Sequence, residues 1–166
     1  MDINKIGRLL QSQESSTLEF KQEWYKLDSK DKETSRRQKN ELIRDVLSLA
    51  NGNVRNVEDT RYLIIGADDN MSESGERKLY NVTLDKPVTA ERLLKLVNRI
   101  TDPTLDTLNC EHVTHHGVNL LVIEIPVSPH VYEITERIDT PKRSYDEYTV
   151  FVRKGSEINT ASSKER

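Results

Sequence analysis

A short run of apolar residues near the middle of the chain constrains the fold more than any other feature. Tyr62-Leu63-Ile64-Ile65 is apolar at every position and is followed by Gly66. Successive side chains of a β-strand point to opposite faces, so a strand of this composition is buried on both faces. The run therefore predicts a strand in the middle of a sheet.

Residue spacing elsewhere predicts helices and further strands around this central strand. Apolar positions three and four apart indicate helices, and alternating polar and apolar residues indicate strands. Helices are predicted behind the caps Asp2 and Thr89, and along an apolar stripe that ends at Asn51-Gly52. The predicted strands are 17–21, 62–66, 108–114, 119–126 and 148–153. Between them lie a loop or frayed helix start over 26–35, a polar connection over 53–60 and a loop over 71–77, and a loose tail follows Ser156.

The order of these elements predicts an α+β domain. Helices separate an early strand, the central strand and a late hairpin, so a mixed, mainly antiparallel sheet with helices packed on it is expected. A chain of 166 residues fits one such domain. We place it at residues 1–156 and interpret 157–166 as a polar tail of the kind that begins a linker to a further domain.

Charge and composition limit the classes of function. The chain has 25 basic and 28 acidic residues, whereas strong non-specific DNA binders carry a clear basic excess. A nucleic-acid site must therefore be local, and residues 21–44, with eight Lys or Arg and five Asp or Glu, fit that description. A single cysteine, Cys110, excludes an internal disulfide and a multi-cysteine zinc site. No glycine loop of the kind that binds a nucleotide cofactor is present. The lack of a signal peptide and of a membrane-length apolar run predicts a cytoplasmic protein, or a nuclear one if the source cell has a nucleus, without a membrane partner.

Acidic residues near the ends of two predicted strands form the candidate site. Glu19 and Lys21 are two apart and share one face of their strand, and Glu14 precedes it. Asp68-Asp69 follow the central strand, where sheets commonly present functional groups. Carboxylates bind Mg²⁺ or Mn²⁺ through oxygen, and such cations activate water and offset charge on phosphate. Taken alone, each of these residues is more often a solvated surface group.

Sequence blocks in a characteristic order cover nearly the whole chain. The first, 14–21, reads Glu, four residues, then Glu-Phe-Lys, and an amphipathic helix ending in Leu49-Ala50-Asn51 follows. The later blocks are 62–69, 121–126 and 151–156. As a set they resemble the Schlafen/AlbA-like domain family, of the Schlafen AlbA-2 type, whose members bind or cut nucleic acid.

The resemblance implies a function and the residues that perform it. Eukaryotic Schlafen nucleases use two glutamates and an aspartate to cleave tRNA and other structured RNA. Those positions fall on Glu14, Glu19 and Asp69, with Lys21 beside them as a phosphate contact. The expectation is a metal-dependent endoribonuclease in which the three carboxylates hold Mg²⁺ or Mn²⁺. The alternatives are a non-catalytic DNA- or RNA-binding module of a regulatory or defence protein, and a protein-interaction domain without nucleic acid.

Basic and aromatic residues outside the acidic group are candidate contacts to nucleic acid. Trp24 and Tyr25 follow the first strand, where either stacking on a base or packing in the protein would suit them, and packing is the commoner role. Lysines and arginines contact backbone phosphate, although a solvated surface role is about as common for each one alone. The candidates are Lys21, Arg36, Arg37, Lys39, Lys142, Arg143, Arg153 and Lys154.

Two departures from the family bear on the substrate. The usual Gly-Gly after the helix is replaced by the longer segment 52–61. The zinc-binding cysteines of the animal nucleases have no counterpart, and Cys110, His112, His115 and His116 favour a metal site only weakly because turns and exposed strands often carry histidine. The animal nucleases also pair two lobes into a clamp. A lone lobe would need a homodimer to rebuild that clamp around RNA.

Overall fold

The chain forms three helices and twelve short strands within residues 1–52 and 60–161, which the computed structural model describes. This confirms the α+β class. Residues 53–59 of the predicted connection and 162–166 of the predicted tail lie outside the described part. In chain order the elements are α1 (Ile3–Leu10), β1 (Leu18–Lys21), α2 (Lys32–Asn51), β2 (Arg61–Ile65), β3 (Ala67–Met71), β4 (Arg77–Leu79), α3 (Ala90–Asn98), β5 (Thr101–Asp102), β6 (Asn109–His115), β7 (Val118–Ile125), β8 (Glu133–Ile134), β9 (Ile138–Asp139), β10 (Ser144–Tyr145), β11 (Phe151–Lys154) and β12 (Glu157–Thr160).

The main sheet has four strands in the order β1-β2-β7-β6. β1 and β2 are parallel, and β7 is antiparallel to both of its neighbours, β2 and β6. All five residues of β2 are buried, and this strand lies between β1 and β7. The uniformly apolar run therefore occupies an interior position, as predicted, in a mixed and mostly antiparallel sheet.

Each face of the main sheet carries its own hydrophobic core. One core contains Leu63 of β2, Leu47 of α2 and Val97 of α3. The other contains Ile64 of β2 and Ile6 of α1. Full burial of such a side chain stabilises the fold by roughly 1.5–3 kcal/mol. The two cores therefore determine which way each strand residue faces.

The helix ends fall close to their predicted positions. Asp2 and Thr89 cap α1 and α3, and each side chain accepts a hydrogen bond from a backbone N–H of the first turn. α2 ends at Asn51 and is capped by Gly52, where φ is 56°. It begins behind the cap Asp31, within the segment 26–35 that was expected to be a loop or a frayed helix start. Among the described residues, no helix combines the length and the apolar character needed to cross a membrane.

The chain after Gly66 differs from the prediction. Residues 71–77 were expected to form a loop, and 72–76 do connect two strands, but the strands on either side, β3 and β4, pair as an antiparallel hairpin that was not predicted. Gly66 has a φ of 102°, and a Cβ at this position would lie 2.6 Å from the carbonyl oxygen of Tyr80. This bend separates β3 from β2. Aspartate and asparagine are depleted in strands, so the sequence of β3 does not indicate a strand, and its pairing with β4 decides its structure.

The last strand also differs from its predicted limits. It begins at Phe151 instead of Tyr148, because Tyr148 has a φ of 66°, in the left-handed region that strands do not use. The chain after Ser156 was expected to be loose, yet residues 157–160 form β12, which pairs with β11. The domain boundary at residue 156 and the linker beyond it stay predictions.

Candidate active site

An open, charged pocket lies between β1, α2 and the chain just before β10. Its volume is about 320 Å³. We call it the carboxylate pocket, and its charged lining consists of Glu14, Glu19, Lys21, Glu41, Arg44, Asp45, Asp69 and Lys142. The four residues that the sequence analysis grouped as catalytic therefore line one pocket, although they come from separate parts of the chain.

β1 presents Glu19 and Lys21 toward α2, as the alternation predicts. Its other two residues are buried in the core that contains α1. Lys21 Nζ lies 3.5 Å from Glu41 Oε1 of α2 and 4.6 Å from the centre of the Tyr25 ring. These two contacts hold the ammonium group at the wall of the pocket.

Glu14 folds back onto the start of β1. Its Oε2 atom accepts a hydrogen bond from the backbone N–H of Phe20, with 3.3 Å between nitrogen and oxygen. Burial raises the pKa of Glu14, the hydrogen bond from Phe20 and the charge of Arg153 oppose that rise, and the nearby Asp69 adds to it. Glu14 and Asp69 are thus close enough for their charges to interact.

Glu19 is held by an arginine from the other end of the chain. Arg153 Nη1 donates a hydrogen bond to Glu19 Oε2 at 3.1 Å, and the Arg153 side chain is completely buried. The same guanidinium group donates to the carbonyl oxygens of Ser15 and Ser156 and to Ser48 Oγ. Burial speaks against the predicted role of Arg153 as a phosphate contact, which needs an exposed side chain. Its position instead orients the Glu19 carboxylate.

The surroundings of Glu19 shift its ionisation toward neutral pH. Burial is the largest cause that raises the pKa of Glu19, the charge of the nearby Asp45 adds to the rise, and the charge of Arg153 opposes it; together they move the pKa from its ordinary value of 4.5 to about 7. Glu14 adds to the rise and Arg44 opposes it. A cation in the pocket would favour the ionised form, since an opposite charge nearby stabilises a carboxylate.

α2 contributes site residues that the sequence analysis missed. Glu41 and Asp45 lie one turn apart on the helix face toward β1, and Arg44 is beside them. Asp45 is only 2% exposed and accepts hydrogen bonds from the Tyr25 hydroxyl and the Arg44 guanidinium. An aspartate within the buried stripe of α2 was the available signal. Tyr25 itself is buried, which leaves packing rather than base stacking as its role.

The basic residues predicted to contact phosphate fall into separate groups. Lys21 and Lys142 line the carboxylate pocket. Arg36 and Arg37 lie on the exposed first turns of α2, where both pair with Glu33. Three further candidates lie outside the described lining of the carboxylate pocket: Lys39, which is partly buried, and Arg143 and Lys154, which are exposed.

Comparison with known protein families assigns the chain to one family. A match to the family described as Schlafen, AlbA_2 extends over residues 14–162. The chain belongs to this family. Membership confirms the resemblance seen in the sequence blocks and indicates a function related to nucleic acid, with DNA or RNA as the partner.

Two solved structures resemble this Schlafen AlbA_2 chain at low sequence identity. The DIP2311 protein from Corynebacterium diphtheriae is 17% identical with a TM-score of 0.49, and the match covers 88% of this chain but only 22% of that one. The N-terminal domain of a RecG-related protein from Nitrosomonas europaea is 18% identical with a TM-score of 0.44, over 76% of this chain and 71% of that one. No curated protein sequence matches the chain.

The chemistry of the Schlafen AlbA_2 pocket suits a hard divalent cation, because carboxylate oxygens are the ligands that Mg²⁺ and Mn²⁺ prefer. Glu14, Glu19 and Asp69 are the residues that would hold it. Among the described residues, however, no three His, Cys, Asp or Glu side chains are gathered as a ready ligand group. Oε2 of Glu19 accepts from Arg153, and Oε2 of Glu14 accepts from Phe20. Cation binding would therefore require these side chains to turn toward one another.

Proposed function

We propose that this Schlafen AlbA_2 domain is a divalent-cation-dependent endoribonuclease that acts on structured RNA such as tRNA. The observation that carries the proposal is the convergence of Glu14, Glu19, Asp69 and Lys21 on one open pocket. Several carboxylates beside an ammonium group are the side chains that metal-assisted cleavage of a phosphodiester needs. The choice of RNA rests on the family resemblance.

The residues in and beside the pocket divide the tasks of the proposed reaction. Glu14, Glu19 and Asp69 would hold Mg²⁺ or Mn²⁺, which supplies an activated water and offsets charge on the phosphate. Lys21 donates charge-assisted hydrogen bonds to a phosphate oxygen. Lys142, on the pocket wall, contacts the backbone of the same strand. Arg153 touches neither RNA nor cation and keeps Glu19 in place.

A non-catalytic DNA- or RNA-binding module is the second candidate. It is favoured by the bond between Arg153 and Glu19 and by the lack of a gathered ligand group among the described side chains. In that case the acidic residues balance the buried guanidinium, and Lys21 and Lys142 dock phosphate. A homodimer in either case rests only on the family's two-lobed clamp, and gel filtration with light scattering would test it.

The two candidates differ in their response to a cation and to single-atom changes of the carboxylates. The chain is incubated with a tRNA transcript and with single-stranded DNA, in Mn²⁺ or in EDTA. We expect Mn²⁺-dependent cleavage of tRNA that is lost in Glu19→Gln and in Asp69→Asn. Glu91→Gln and Asp85→Asn change exposed residues outside the pocket lining and serve as matched controls.

The remaining outcomes decide among the other interpretations. Cleavage that persists in both Glu19→Gln and Asp69→Asn indicates a contaminating nuclease and rejects the catalytic assignment. Binding without cleavage selects the non-catalytic module. A chain that binds no nucleic acid even at low salt, where phosphate contacts are strongest, is left with protein partners only.

A further inference from the structure

A second open pocket adjoins the carboxylate pocket. It has a volume of about 440 Å³ and lies between the turn after α1 and the hairpin of β3 and β4. The two pockets share Glu14, Asp69 and Ser156 in their linings. They therefore form one groove, with two of the proposed catalytic carboxylates at the junction. We call the second pocket the amide pocket, because Gln13 and Asn70 line it.

The two halves of this groove differ in the groups that they offer. Three cationic side chains, Lys21, Arg44 and Lys142, line the carboxylate pocket. The amide pocket has only Arg77 among the described residues of its lining, and that side chain is 9% exposed. Its guanidinium donates to backbone carbonyls and belongs to the floor of the pocket. The accepting residues are Leu10, Ser12 and Asp68.

The lining of the amide pocket favours neutral groups of a ligand over anionic ones. Phosphate would meet the carboxylates of Glu14, Asp69 and Glu73 there, with no exposed cation to offset them in the described lining. A base and a ribose are uncharged, and their hydrogen-bonding edges match carboxamides and hydroxyls. These neutral groups of the pocket are Gln13, Asn70, Ser72 and Ser156.

We propose that the amide pocket is a subsite for the base and ribose of the nucleotide next to the cleaved bond in an unpaired segment of RNA. Its backbone phosphates lie on the other side of the junction, against Lys21 and Lys142. The volume falls in the range of roughly 300–1,000 Å³ that is usual for small-ligand pockets. Unpaired bases expose the edges that such side chains bind. This assignment rests on the proposed function, since the carboxylates define where the bond is cut.

Gln13 and Asn70 are the residues that select the base. They come from different parts of the chain, Gln13 from the loop after α1 and Asn70 from β3. Asn70 Nδ2 also donates to Asp69 Oδ1 at 3.2 Å, so a change at Asn70 affects both selection and the catalytic carboxylate. Gln13 lines the amide pocket and not the carboxylate pocket, so Gln13→Ala tests base selection without changing a group that contacts a catalytic carboxylate.

The test measures base selection separately from cleavage. A pool of single-stranded RNA oligonucleotides of random sequence is cut in Mn²⁺ and the new ends are sequenced, and the same pool is selected for binding in EDTA. We expect a base preference at one position beside the cut. Gln13→Ala and Asn70→Ala each reduce that preference about tenfold, the effect of losing one good amide–base contact. Asn4→Ala, an exposed amide on α1 outside both linings, leaves it unchanged.

Failure of the subsite and failure of the nuclease give different results. Cleavage with no base preference, or with a preference that both Gln13→Ala and Asn70→Ala retain, overturns the subsite and leaves the nuclease standing. Absence of cleavage, together with a binding preference in EDTA that Gln13→Ala removes, supports the subsite and overturns the nuclease. Absence of any preference in both experiments overturns the subsite.

Discussion

Glu19 and Asp69 line the same pocket but are held in different ways. Glu19 lies on a strand of the main sheet, its side chain is 19% exposed, and it accepts a hydrogen bond from the buried Arg153. Asp69 is exposed on the hairpin of β3 and β4, outside that sheet. One half of the candidate site is therefore largely buried beside a buried arginine, and the other half is exposed at the surface. Changes in the two halves should affect stability and activity in different proportions.

Removal of Arg153 should show the largest effect, on the buried half. Arg153→Met leaves the Glu19 carboxylate beside Asp45 without the guanidinium that it contacts, and breaking a buried ion pair costs about 3 kcal/mol. Urea unfolding should report that loss, and adding Glu19→Gln should recover part of it. Arg36→Met breaks an exposed pair on α2 and is the control that should leave the midpoint almost unchanged. Equal midpoints for both arginine variants would contradict a special role for the buried pair.

The second prediction separates the two carboxylates directly. Glu19→Gln and Asp69→Asn should each lower cleavage by about a hundredfold or more, since loss of even an outer partner of a metal ligand costs up to that much. Only Glu19→Gln should also move the urea midpoint, because only Glu19 belongs to a buried ion pair. Rates and midpoints are measured on the same preparations. A shift of the midpoint in Asp69→Asn would erase the distinction between the two halves.

The third prediction concerns pH. The folded protein keeps the proton on Glu19 up to about pH 7, whereas an ordinary glutamate loses it near pH 4.5. Because the folded state binds more protons in this window, the Glu19 contribution to the unfolding free energy falls as pH rises from 4.5 to 7 and is constant above it. Glu14, whose pKa is also raised, acts in the same direction. Cleavage should change in the opposite direction, because it needs the ionised carboxylate.

The unfolding free energy, measured by urea unfolding at several pH values in this window, should therefore fall less steeply with pH in Glu19→Gln than in the wild-type chain. Asp69→Asn serves as the comparison and should keep most of the wild-type slope, because Asp69 is only a minor cause of the raised pKa of Glu14. Equal slopes in all three proteins would show that Glu19 does not titrate as its buried position requires.

The smallest effect is expected for Lys142, on the wall of the carboxylate pocket, and concerns RNA binding. Lys142→Ala should weaken RNA binding about equally for all sequences and lower the salt dependence of binding by about one ion, because the residue would contact phosphate and not base. Fluorescence anisotropy over a salt series measures both quantities. Lys95→Ala removes an exposed lysine on α3 outside the pocket and is the control. An unchanged salt dependence in Lys142→Ala would remove this residue from the RNA contact.

Local patterns were sufficient to predict much of the fold. The burial of β2 followed from its composition, and the shared face of Glu19 and Lys21 followed from the two-residue period of a strand. The helix caps followed from side chains that satisfy the first free N–H groups of a helix. The β3–β4 hairpin did not follow, because its residues resemble a loop and only their pairing makes them strands.

The candidate site was predictable only in part. Glu14, Glu19, Asp69 and Lys21 were grouped through the family resemblance, and the structure brings them to one pocket. Whether they catalyse stays a prediction. Arg153 was expected to contact phosphate or to lie at the solvated surface. Its burial depends on a partner 134 positions earlier in the chain, which no local pattern reveals.

The sequence by itself determined the class of the fold, the interior position of β2 and the face of each residue on β1, since these depend on side chains a few positions apart. Only the tertiary structure decided that Arg153 orients Glu19, that α2 adds Glu41 and Asp45 to the carboxylate pocket, and that Gln13 and Asn70 line the adjoining pocket. The physical reason is distance along the chain. Charges and hydrogen bonds act over a few ångströms in space, and packing of the two cores brings distant segments within that range.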